Sequence, residues 1–119
     1  MSEATHEEQI LAYVREHEFE TFAALHKHFA GEAREDTEIV LPGNRVIWAG
    51  LPRPLIDAVL GLLDAGRLAS IPGTKAAYRR DGRVLKLPIE RRPEAHAEPH
   101  WFPVLLRPME AVLADEADS

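Results

Sequence analysis

The sequence predicts an α+β domain: three helices and a small antiparallel sheet, with a hairpin inserted between helices 2 and 3 and a C-terminal arm. Three observations predict it. Apolar residues recur at helical spacing in three segments, the last and strongest lying between Pro54 and Gly66. Two turn signals, Pro42-Gly43-Asn44 and Asp81-Gly82, separate short runs rich in β-forming residues. From Pro88 to Pro103 the chain holds four prolines in sixteen residues, a density that marks an extended linker. The expected division is a domain over residues 1–90, with the hairpin at 38–48, followed by a linker and apolar arm over 91–119.

The first helix is expected from about His6 to His17. Thr5-His6-Glu7-Glu8 matches a capping box, and Ile10, Leu11 and Val14 then share one face. Phe19-Glu20 is a short break. Thr21 can cap a second helix carrying Phe22, Leu25 and Phe29 on one side, with Gly31 placed to end it. Residues 31–37 are polar and read as a loop. Ile39–Leu41 and Val46–Trp48 flank the Pro-Gly-Asn turn as a hairpin.

Pro52 and Pro54 set an abrupt start for the third helix, since proline is tolerated in a first turn and not later. Its apolar face is Leu55, Ile56, Val59, Leu62 and Leu63; its outer face is Arg53, Asp57, Gly61 and Asp64. Leu68–Ile71 reads as a strand. Ala76–Arg80 and Arg83–Leu87 read as two arms of a hairpin, because Asp-Gly favours a type I′ turn. Beyond the linker, Trp101, Phe102, Val104, Leu105 and Leu106 form an apolar patch, and Pro108 starts a final helix to about Asp115.

A hydrophobic content of 45% in 119 residues supports one packed core and argues against disorder. There are no cysteines, which excludes disulfides, thiolate metal sites and cysteine nucleophiles. That absence fits a reducing compartment, and the acidic start MSEATHEEQ has no apolar stretch of a secretory signal. No run approaches the roughly 18 apolar residues of a membrane span. The expected location is cytoplasmic, without membrane partners.

Net charge is −6, unevenly spread. Residues 1–38 carry ten acids and three bases; residues 67–92 carry eight bases and two acids; residues 93–119 carry six acids and one base. An acidic chain therefore concentrates its positive charge in one segment, suited to an anionic partner.

The order helix, helix, helix, basic hairpin, with the junction LLDAGRLASI after the third helix, resembles the winged helix-turn-helix domains of bacterial regulators over residues 5–88. The resemblance implies that the third helix lies in the major groove of double-stranded DNA. Here that helix would present two aspartates to phosphate-lined walls, so base reading by it is not expected. The resemblance makes the hairpin a wing. Lys75, Arg79, Arg80, Arg83 and Lys86 are its candidate phosphate contacts, extended by Arg91 and Arg92. The competing reading takes these cations as the means by which a hairpin keeps its edges soluble. In the alternative function the protein is an adaptor without nucleic acid, whose acidic flanks and whose Trp101, Phe102, Val104, Leu105 and Leu106 meet a protein partner or a second copy.

Catalytic chemistry is not expected. The three serines are Ser2, Ser70 and Ser119, with no nucleophile elbow, and Pro72-Gly73-Thr74-Lys75 lacks the first glycine of a phosphate loop. His26 and His28 point to different sides of a helix; His96 and His100 lie in the linker. No metal and no cofactor is expected, and the histidines are read as exposed.

Overall fold

The computed structural model describes residues 5–89 and 98–117, and is α+β with five helices and two three-stranded sheets among those residues. The Thr5 hydroxyl accepts from the Glu8 N–H at 3.1 Å, while the Glu8 carboxylate accepts from the Thr5 N–H at 3.4 Å. This reciprocal cap starts α1 (His6–His17), which buries Ile10, Leu11 and Val14. The chain then forms β1 (Glu20–Thr21). Thr21 caps α2 (Phe22–Ala30), its hydroxyl accepting from the Ala24 N–H at 3.0 Å.

β2 (Glu38–Leu41) and β3 (Arg45–Ala49) pair antiparallel as a hairpin between α2 and the next helix. Its turn places Gly43 and Asn44 at φ 89° and 59°, which Gly and Asn adopt at low cost. α3 (Arg53–Asp64) begins with Pro54 in its first turn and buries Leu55, Ile56, Ala58, Val59 and Leu62. β4 (Leu68–Pro72) follows.

Two expectations fail here. The arm 76–80 is not a strand: Lys75–Arg80 is a helix, α4, capped by the Thr74 hydroxyl accepting from the Ala77 N–H at 3.1 Å. Asp81-Gly82 ends that helix rather than turning a hairpin, with Gly82 at φ 101°, and residues 83–87 form no strand. The apolar patch is no appended arm either. It supplies β5 (His100–Trp101) and β6 (Val104–Pro108), which leads directly into α5 (Met109–Ala117).

β6 is the central strand of the first sheet, in the order β1-β6-β4 with both pairings antiparallel; Thr21 faces Leu105 and Ser70 faces Leu106. The second sheet has the order β2-β3-β5, with β5 parallel to β3. Trp101, Val104 and Leu106 are consequently buried, and Phe102 and Leu105 half-buried. Trp101, Val104 and Leu106 are part of the core, while Phe102 and Leu105 keep some exposed surface. Three large aromatics meet at its centre: the Trp48 and Tyr78 rings have centroids 5.4 Å apart, and Tyr78 meets Trp101 edge-on at 5.0 Å.

A candidate anion-binding face between α2 and α4

The basic residues expected on one hairpin are dispersed. Lys75, Arg79 and Arg80 stand exposed on α4, Lys86 is exposed in the irregular segment after it, and Arg91 and Arg92 lie outside the described residues. Of the described ones, Arg83 alone turns inward. Its guanidinium carbon lies 4.6 Å from the Trp48 ring centroid, a cation–π contact, and its Nη1 is 3.5 Å from the His26 Nδ1.

The position is prepared by a buried network. The Trp48 indole N–H, which can only donate, reaches His26 Nδ1 at 3.2 Å. Nδ1 must therefore accept, and the ring hydrogen sits on Nε2, which donates to the Ala33 carbonyl at 2.7 Å. A neutral, oriented imidazole links α2, β3 and the loop after α2. Gly50 leaves room for the guanidinium, since a Cβ there would lie 3.3 Å from Arg83 Nη2. Two of the histidines read as exposed, His26 and His100, are in fact buried.

Arg83 lines an open cleft of about 120 Å³ with His26, Lys27, Gly31, Glu32, Arg34, Asp81 and Gly82 among its walls. A second depression beside it shares Lys27, Asp81 and Gly82, and adds Tyr13, His28 and Arg80. The two form one face with four cations, Lys27, Arg34, Arg80 and Arg83, against two carboxylates, Glu32 and Asp81. Asp81 is already engaged, accepting from the Thr21 hydroxyl at 2.7 Å and facing Arg80 Nε at 3.5 Å. Among the described residues Arg83 has no carboxylate within ion-pair distance. Burial, then the nearby Arg34 charge, pushes its guanidinium below the ordinary arginine value. A cation held against another cation, without a counter-charge, is an arrangement that an external anion relieves.

Lys27, Arg34 and His26 were not legible as site residues. They lie far from Arg83 in sequence, and only the packing of α2 against the Asp81–Arg83 turn joins them.

The outer face of α3 offers no comparable surface. Arg53 Nε is tied to Asp57 at 3.3 Å, and Gly61 faces the Glu7 carboxylate of α1. Leu60 and Asp64 are exposed there. Among the described residues no group of three His, Asp or Glu side chains is placed to hold a metal ion. No helix among them is long and apolar enough to cross a membrane.

Comparison with known proteins finds no family model, no curated protein and no solved structure that matches the chain.

Proposed function

We propose that the chain is a non-enzymatic regulator on a winged-helix-like scaffold, and that it holds the phosphates of duplex nucleic acid on the α2/α4 face. What supports the scaffold reading is three helices, with the β2–β3 hairpin inserted after the second, then an antiparallel β4–β6 pair whose strands are separated in the chain by α4 and β5. The observation that carries the reading is Arg83, shelved on Trp48 and unpaired among the described residues. Lys27, Arg34 and Arg80 surround it, and Lys75 and Arg79 continue the charge along α4. Such contacts fix a protein on the backbone and carry no base information, consistent with the acidic exterior of α3.

The test is fluorescence anisotropy of a labelled DNA duplex, begun at about 50 mM salt, where phosphate contacts are strongest. Binding is expected to weaken steeply as salt rises. Lys27→Ala and Arg80→Ala should each reduce the log–log salt slope by about one. Absence of binding at low salt overturns the reading.

A protein-binding adaptor is the second reading, and one observation favours it. Val40, Leu41 and Leu60 are large apolar residues left exposed, and Leu41 and Leu60 border an apolar cleft with Ile39, Ile47 and Leu63. That surface, rather than Trp101–Leu106, would carry a protein contact.

A further inference from the structure

We propose that the Arg83 cleft takes a phosphate monoester, the doubly charged terminal phosphate of a nucleotide or of a nucleic-acid strand end. The proposal rests on the phosphate-binding reading of the α2/α4 face and narrows it to one group. A backbone diester carries a single negative charge, whereas a terminal phosphate carries about 1.5 to 2 at neutral pH. Three cations, Lys27, Arg34 and Arg83, line this one cleft. Their attraction grows with the charge of the group that enters.

At about 120 Å³ the cleft is several times the volume of one water and has room for a tetrahedral oxyanion. Arg83 lines it half-buried, its guanidinium carbon 4.6 Å from the Trp48 ring centroid and its Nη1 3.5 Å from His26 Nδ1, and its remaining N–H groups are donors for an anion. Gly31 and Gly82 flank the opening, and a Cβ at either would meet nothing within 4 Å. Glu32 and Asp81 also border the cleft.

The experiment titrates the full chain at low salt with inorganic phosphate, a nucleoside 5′-monophosphate, and one duplex bearing either 5′-phosphate or 5′-hydroxyl ends. The phosphorylated duplex is expected to bind roughly tenfold tighter than its hydroxyl counterpart, the worth of one charge-assisted bidentate contact. Arg83→Gln and the exposed Arg34→Gln should each weaken both duplexes and bring their affinities together; Glu32→Gln should widen the preference. Thermal melting of the variants checks folding, and Arg34 is exposed enough that its loss leaves the core intact. Mononucleotide binding as tight as the phosphorylated duplex assigns the cleft to free nucleotides; weaker mononucleotide binding assigns it to strand ends. Equal affinity for both duplexes, with no uptake of phosphate or nucleotide, overturns the cleft proposal and leaves backbone binding standing. Loss of every interaction overturns both.

Discussion

The phenol of Tyr78 donates a hydrogen bond to the Val104 carbonyl at 2.5 Å, and through it α4 is fastened to β6. The same oxygen accepts from the Phe22 N–H at 3.2 Å, so one buried hydroxyl serves the first turn of α2 as well. Tyr78→Phe keeps the ring and deletes only the hydroxyl, leaving a buried donor and acceptor without it. Stability should fall by about 1–3 kcal/mol. Urea unfolding would read this as a lower midpoint at unchanged slope; an unchanged midpoint would show that water replaces the phenol.

Burial pushes the Tyr78 phenol well above its ordinary value, and burial, then Glu20, does the same for Tyr13. The folded state thus holds these protons more tightly than the unfolded chain, whose phenols ionise near pH ~10. The stabilisation is complete below that pH and declines as pH rises above it. For Tyr78 alone the decline should be about 1.4 kcal/mol per pH unit until its folded value is reached. Denaturant midpoints at about pH 9 and about pH 11 check this, and Tyr78→Phe should flatten the decline. Phenolate absorbance appearing at ordinary pH in the folded protein would contradict it.

Gly61 sits within α3, where glycine costs about 1 kcal/mol relative to alanine. A Cβ there would come 2.6 Å from Glu7 Oε1, the far end of an exposed, flexible side chain that can swing away. Gly61→Ala should therefore stabilise the protein by about 0.5–1 kcal/mol in thermal melting. A lowered melting temperature would mean that Glu7 is fixed in place.

α5 buries no residue fully and is anchored by Arg15–Glu110 at 2.6 Å and Arg107–Asp115 at 2.7 Å, pairs with largely exposed carboxylates. Ending the chain after Pro108 should cost about 1–2 kcal/mol and keep cooperative unfolding. Ending it after Ile89 removes β5 and β6 and should abolish the cooperative transition, since Trp101 and Leu106 are fully buried. Calorimetry of the two truncations distinguishes these outcomes.

Much of the N-terminal half was legible because its signals are local. Thr5 with Glu8, Thr21 before Phe22, the Pro42–Asn44 turn and Pro54 each specify a cap or bend from adjacent residues. α4 was not legible, because a glycine with positive φ serves equally after a helix and between strands. The six residues of α4 are too few to show a helical period, and its cap, Thr74, directly follows Pro72-Gly73, itself a turn signal. β6 was hidden by its flanking prolines, and its partners Thr21 and Ser70 lie in distant segments. Of the candidate face, Arg80 and Arg83 stood out by charge, but nothing local linked them to Lys27 or Arg34.

The central position of β6 also governs how the chain matures. While a ribosome has released only the residues before Val104, β1 and β4 each wait without the neighbour that joins them. Long-range loops must close before that pairing yields anything, which slows folding. During that interval the open strand edges are templates for other nascent chains. High expression should therefore feed inclusion bodies more than soluble protein, and slower synthesis at lower temperature should reverse the balance.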